Sequence, residues 1–221
     1  MLMNHTIDHT APNAAAAVTV HCLADDAAHS AKIEPIAGLI YKADPHIYPG
    51  AFGEDTAFAT KVIAHFLHHA VSYFQRRNVY FAVCDSEVAG VMVLLRDADF
   101  AAVDCDEIRK TFPALPHGFE HACREVFNTA GNDVSERTMY LCSLAVDERF
   151  RRRHVGKQML ETILLRNPEK GICLHVLCEN EPAIGLYKAC GFDADELNVH
   201  DGFSVSGPRP KFFKMERRAA V

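Results

Sequence analysis

Residues 141–157, Leu-Cys-Ser-Leu-Ala-Val-Asp-Glu-Arg-Phe-Arg-Arg-Arg-His-Val-Gly-Lys, constrain this chain more than any other stretch. A hydrophobic, strand-like run passes straight into a basic turn and then into a helix that opens near Val155. The first N–H groups of a helix have no partner inside it, and the helix dipole adds partial positive charge there, so the terminus is an anion site. Arg149, Arg151, Arg152, Arg153 and Lys157 crowd that terminus, where cations oppose the dipole. The pattern fits a bound polyanion such as a diphosphate; its plainer alternative is a solvated basic turn joining strand to helix.

Overall charge sets the limits of that choice. The chain has 221 residues, with 23 Lys and Arg against 29 Asp and Glu, for a formal net charge of -6. That is the reverse of the basic footprint of a general nucleic-acid binder, and no aromatic stacking platform accompanies the arginines, so no nucleic-acid partner is expected. Any polyanion must instead be met by a local cluster. No apolar run approaches the roughly 18 residues of a membrane span, so no membrane partner is expected either. The eight cysteines stand singly in apolar surroundings, with no C-x-x-C pair. They read as reduced, buried thiols and imply a cytoplasmic location. Residues 1–17 form a polar, Ala-rich stretch without a secretory pattern, expected to be a flexible N-terminal tail. Residues 18–221 suit a single domain.

Along that domain, residues 18–23 read as a first strand and 31–42 as a helix. Residues 48–53, Tyr-Pro-Gly-Ala-Phe-Gly, read as a turn-rich connection, and 54–76 as a long amphipathic helix. Residues 79–84 and 88–95 form a hairpin around Asp85-Ser86-Glu87. Residues 96–137 read as a helical insertion between the third and fourth strands, with helical patches at 106–112 and 119–130. Then follow a strand (139–146), a helix (155–166), a strand (172–177), a helix (181–190) stopped by Gly191, and two last strands near 192–199 and 211–216. This order predicts an α+β fold with a mixed sheet. His65, His68 and His69 share helical spacing but lack a carboxylate or cysteine to complete a metal site, so they read as surface histidines and no metal is expected.

A second motif follows at residues 175–192, His-Val-Leu-Cys-Glu-Asn-Glu-Pro-Ala-Ile-Gly-Leu-Tyr-Lys-Ala-Cys-Gly-Phe. Asn180 ends a strand, Pro182 sits in the first turn of the next helix, and Tyr187 lies about two turns along. Taken alone, Asn180 is a helix cap or a ligand contact, and Tyr187 a core aromatic or a phenol turned back to the crevice between the strands.

Together the two stretches resemble the GNAT acetyltransferase superfamily, whose cofactor signature is a strand followed by [QR]-x-x-G-x-[GA] and then N-x-x-A-x-x-L-Y-x-x-x-G-F. Asn180, Ala183, Leu186, Tyr187, Gly191 and Phe192 match the second half; Leu144, Val146, Arg151 and Gly156 match the first. The resemblance is specific over residues 138–195 and looser over the hairpin and earlier helices. His154 departs from it, standing where the family usually has its first glycine.

The resemblance implies a mostly antiparallel central sheet flanked by helices, acetyl-CoA as co-substrate, and acetyl transfer to a primary amine by direct attack in a ternary complex. It implies that the backbone of Leu144, Ala145 and Val146 pairs with the pantetheine arm. N–H groups of Arg152, Arg153, His154, Val155, Gly156 and Lys157, with Arg151, would hold the pyrophosphate. Asn180 would hydrogen-bond the pantetheine and Tyr187 would protonate the departing thiolate. Tyr41, Asp44 and Tyr48 lie where the family's early helices line the acceptor pocket, and the loop 200–210 is its other expected wall. The acceptor would be a small-molecule amine or a peptide N-terminus, and a homodimer fits the superfamily. No general base is visible in 139–146. The alternative is a non-catalytic GNAT-fold protein that senses coenzyme A or presents a partner surface.

Overall fold

The computed structural model describes residues 17–25, 31–69, 74–96, 99, 105–131, 133–202 and 209–219, without the side chains of 125–130. Residues 1–16 of the expected N-terminal tail therefore lie outside the described residues, as does most of the loop expected between His200 and Pro210.

Strand β1 (Thr19–Cys22) leads to helices α1 (Ile33–Ala43), α2 (Tyr48–Phe52) and α3 (Thr56–His69). The hairpin β2 (Val79–Cys84) and β3 (Glu87–Leu95) precedes α4 (Cys105–Thr111) and α5 (Phe119–Gly131). The second half runs β4 (Thr138–Val146), α6 (Val155–Arg166), β5 (Gly171–Leu177) and α7 (Glu181–Ala189). It closes with β6 (Asp193–Ala194), β7 (His200–Asp201) and β8 (Lys211–Arg217).

The strands form one sheet in the order β1-β2-β3-β4-β5-β8-β6, with β7 also on β8. Every pairing is antiparallel except β4 with β5. This is the mixed, mostly antiparallel α+β architecture expected, with α4 and α5 as the helical insertion between the third and fourth strands. Among the described residues, no helix is long and apolar enough to cross a membrane.

Two cores flank the sheet. On one face α1, α2 and α3 pack down through Ile36, Ile40, Phe52, Val62, Ile63, Phe66 and Leu67. The α3 members recur at positions 59, 62, 63, 66 and 67, the stripe that a 3.6-residue period places on one side. On the other face α6 seats Val155, Met159, Leu160 and Ile163 against Met92, Leu94 and Leu141. Burying each such side chain stabilises the fold by about 1.5–3 kcal/mol. The β2–β3 turn is set by Asp85 and Ser86, both at positive φ (52° and 66°), as a two-residue hairpin loop matching the sheet's twist requires.

Three expectations are corrected. Residues 48–52 are helical rather than a turn: Pro49 falls in the first turn of α2, where its missing N–H costs nothing, and Gly53 ends the helix at φ 88°. The long helix expected over 54–76 is described over Thr56–His69 and has stopped before Phe74: Phe74 and Gln75 are non-helical, and a 3-10 turn covers Arg76–Asn78. Phe74 is fully buried, so it continued the apolar period without continuing the helix. The strand expected over 192–199 shrinks to Asp193–Ala194, because residues 195–199 are exposed and Leu197 makes no core contact.

Candidate functional site

The site begins where two neighbouring strands part. β4 and β5 pair only through Thr138, Met139 and Tyr140 with Gly171, Ile172 and Cys173. Beyond that point β4 stays with β3, and β5 turns away with β8. A β-bulge sits at the parting: Val93 faces Ser143 and Leu94 faces Leu141, leaving Cys142 unopposed in β4. The bulge depends on the partner strand and had no signal in the sequence.

Between the diverging strands lies a cleft of about 1310 Å³. One wall is Leu144, Ala145 and Val146 with the turn after them; the opposite wall is Asn180, Ala183, Leu186 and Tyr187. Leu39, Tyr41 and Lys42 of α1 close one end. Leu39, Lys42 and Leu186 had not been expected on the wall from their residue types.

The turn between β4 and α6 is built from within. The Asp147 carboxylate accepts the Arg149 N–H at 3.0 Å and opens a 3-10 turn over Glu148–Phe150. Arg149 also donates to Asp147 and Glu87, and its guanidinium beside Asp147 holds that carboxyl below the usual carboxylate range. Arg151 faces Glu148, Arg153 faces Asp85, and Lys157 faces Glu161, each at 3.7 Å and exposed. Such pairs contribute about 0–1 kcal/mol each. The expected cation cluster is thus largely balanced by its own carboxylates, and the Arg153 guanidinium lies over the Phe150 ring rather than on the cleft. Arg152 lines the cleft and has no ion-pair partner among the described residues.

Arg152 and His154 both have left-handed backbones, with φ of 61° and 59°. His154 therefore stands in the conformation for which glycine is the usual residue, and it adopts that conformation. It is the N-cap of α6, and its side chain caps no N–H group. The first-turn N–H groups of Val155, Gly156 and Lys157 are left for a ligand, and all three residues line the cleft. Gly156 has a packing reason as well: a methyl there would stand 3.2 Å from Leu186 Cδ2.

Across the cleft, Asn180 caps α7 by accepting the Ala183 N–H at 3.2 Å, which fixes the amide while its NH₂ stays free to donate. The two readings of Asn180 are therefore compatible. Tyr187 is only 8% exposed, packs at 5.6 Å on Phe192, and lines the cleft. Burial pushes its phenol well above the ordinary value, so it stays protonated at neutral pH.

The three residues expected at the acceptor end separate. Tyr41 lines the cleft, with its hydroxyl donating to the Gly53 carbonyl at 2.8 Å. The Asp44 carboxylate accepts the N–H groups of His46 and Ile47, both at 2.9 Å, in the turn that leads into α2. Tyr48 is 2% exposed, its hydroxyl 2.8 Å from Ser143 Oγ and 3.9 Å from Cys142 Sγ. Neither Asp44 nor Tyr48 is on the cleft wall. Far from the cleft, His65 packs against His69 and edge-on to Phe112; burial lowers its pKa.

Comparison with known proteins agrees with this geometry. Residues 40–192 match the family described as Acetyltransferase (GNAT) family. A search of curated proteins finds no match to the chain. Among solved structures, an N-acetyltransferase from Staphylococcus aureus Mu50 superposes with a TM-score of 0.62 at 13% identity, over 90% of this chain and 100% of that one. Ard1 from Thermoplasma volcanium superposes at 0.54 and 15% identity, covering 92% and 99%. The ribosomal-protein-S18-alanine N-acetyltransferase from Escherichia coli superposes at 0.52 and 14% identity, covering 93% and 96%.

Proposed function

The chain belongs to the GNAT family of acetyltransferases, and from that premise we propose that it transfers the acetyl group of acetyl-CoA to a primary amine by direct attack in a ternary complex. The acceptor is a small molecule or a peptide N-terminus. The observation that carries this reading is the cleft between β4 and β5, which runs to the uncapped N-terminus of α6.

Each part of the cleft suits one part of the co-substrate. The first N–H groups of α6, with Arg152, suit the pyrophosphate, and the left-handed backbone of His154 supports this because the turn keeps its shape without glycine. The Leu144–Val146 edge suits the amides of the pantetheine arm, and one of its N–H groups would stabilise charge on the thioester oxygen. The Asn180 NH₂ adds a donor on the other wall. The acetyl-CoA thioester supplies the activated acetyl group; the residues supply alignment, exclusion of water and a proton.

Direct attack is favoured over an acyl-enzyme at Cys142. Burial pushes that thiol up to about 11, so little thiolate forms at neutral pH. Tyr187 keeps its proton and donates a hydrogen bond toward the leaving sulfur, then transfers the proton as the C–S bond breaks.

The test is calorimetric titration with acetyl-CoA and coenzyme A, with NAD as control, on the wild type and on Asn180→Ala. Micromolar binding of both coenzyme A species, weakened in the variant, is expected. Absence of heat in the wild type would sink the reading. Asn180→Ala also loses the cap of α7, at about 1 kcal/mol, so binding is measured well below its unfolding temperature.

A further inference from the structure

With the pyrophosphate at the α6 terminus and the pantetheine along β4, the acceptor is left the end of the cleft walled by α1 and α2. Leu39, Tyr41, Lys42, Ala43, Pro45 and Pro49 make that wall. Most polar side chains in this corner already have protein partners. The Tyr41 hydroxyl donates to the Gly53 carbonyl at 2.8 Å. Asp44 and Tyr48 adjoin the wall in sequence but are not on it. The Asp44 carboxylate accepts two backbone N–H groups, and the Tyr48 hydroxyl lies 2.8 Å from Ser143 Oγ.

The carboxylates that do line the cleft are Asp147 and Glu148, both in the turn after β4 and both facing arginines. Among the described residues, then, the α1 end offers an ammonium group no counter-charge. It offers Lys42 instead. Lys42 is exposed and has no hydrogen bond or ion pair among the described residues. Its charge reaches Asp147, but the oxygens of that carboxylate are held by Arg149. In the last turn of α1, Lys42 also suits the negative end of the helix dipole. That role asks only for a cation near the helix end, whereas this one lines the cleft beside the apolar Leu39, Ala43 and Pro45.

We propose that the acceptor is a small amine carrying an anionic group, a carboxylate or a phosphate, on an otherwise apolar frame, and that Lys42 pairs with that anion. The inference rests on the acetyl-transfer reading and names its acceptor class. The frame packs on Leu39, Ala43, Pro45 and Pro49, the anion meets the Lys42 ammonium, and the amine is left for the thioester. An exposed ion pair in water is weak, but a bound acceptor displaces water from Lys42 and strengthens the charged hydrogen bond. The pairing also draws the acceptor's anion off its own ammonium group, which then releases its proton to solvent more readily. That suits a site with no visible base. A second cation on the acceptor would be repelled, which excludes diamines. Because α1 closes this end, a peptide running on past its first residue meets a wall.

The test follows thiol release from acetyl-CoA by the full-length wild type, Lys42→Gln, Lys42→Glu and Lys42→Arg. The acceptor probes are free leucine, leucinamide, aminoethyl phosphate, putrescine and a short peptide amide. Comparing probe ratios across the four proteins cancels the differing basicities of the amines. The wild type is expected to favour leucine or aminoethyl phosphate over putrescine and the peptide amide by about tenfold or more in kcat/KM, and the better of the two identifies the anion. Lys42→Gln should raise KM for that probe about tenfold, with a smaller change in kcat, as loss of one charged hydrogen bond would. Lys42→Glu should raise it further and bring putrescine ahead, while Lys42→Arg should keep the wild-type order. Acetyl-CoA affinity, read by calorimetry, should stay within about twofold throughout, because its phosphates lie with α6. An active wild type that prefers putrescine or the peptide amide overturns the proposal and leaves acetyl transfer standing. A leucine-to-leucinamide ratio that Lys42→Gln does not move has the same meaning. So does a Lys42→Gln variant whose acetyl-CoA affinity falls as far as its leucine KM rises, which makes Lys42 a contact for the coenzyme. A wild type that binds acetyl-CoA but acetylates no probe removes the proposal alone; one that does not bind it removes both.

Discussion

His154 shows how a residue can depart from a motif and keep its geometry. Glycine is the usual residue for a left-handed backbone, and His154 holds such a backbone at φ 59°. An L-residue there costs about 1–2 kcal/mol, while glycine gives back about 0.5–1 kcal/mol through its looser unfolded chain. His154→Gly should therefore raise stability by up to about 1 kcal/mol in urea unfolding and leave coenzyme A affinity intact. His154→Val, with a branched Cβ in the same conformation, should lose stability and weaken coenzyme A binding together. A less stable glycine variant would show that the imidazole itself holds the turn. Tyr187→Phe is expected to slow acetyl transfer with little change in acetyl-CoA affinity; unchanged turnover would remove the hydroxyl from the mechanism.

Among the elements, those with a strong period and clear punctuation were legible in the chain. Helix α6 begins and ends where its apolar spacing predicts, and the β2–β3 hairpin follows from two short runs around Asp85-Ser86. Both ends of the Asn180–Gly191 segment were marked, by a capping residue and a glycine at φ 82°. What stayed hidden depends on partners. The Cys142 bulge exists only relative to β3, the Glu87 and Asp85 carboxylates that meet Arg149 and Arg153 come from a turn far off in sequence, and Tyr140 meets His175 only because β4 and β5 are neighbours. Gly90 belongs to the same class. A Cβ there would stand 3.0 Å from Met159 Sδ, 3.1 Å from the Ala145 carbonyl and 3.2 Å from Val155 Cγ1. Gly90→Ala should push α6 off the sheet and cost about 1–3 kcal/mol, read as a lower urea midpoint. An unchanged midpoint would mean that Met159 yields freely.

For the molecule as a whole, the buried His175 should govern stability on the acid side of neutrality. Its pKa is about 4 in the fold against 6.5 unfolded. The unfolded chain thus takes up a proton that the folded chain refuses, and stability falls as pH drops from about 6.5 toward 4. The full effect is on the order of 3 kcal/mol. Urea unfolding at a series of pH values should show this slope in the wild type and its loss in His175→Gln; equal slopes would place the titration elsewhere. The three-residue ladder between β4 and β5 has a wider consequence. Two blocks of sheet share a short seam, and past it the facing edges of β4 and β5 pair with no strand between them among the described residues. Acetyl-CoA would act as such a strand, so hydrogen exchange along the fork should slow sharply when it is added. At 100 times its dissociation constant, it would also add about 2.7 kcal/mol to stability. The resistance of this protein to unfolding and proteolysis would then rise and fall with the supply of its own substrate.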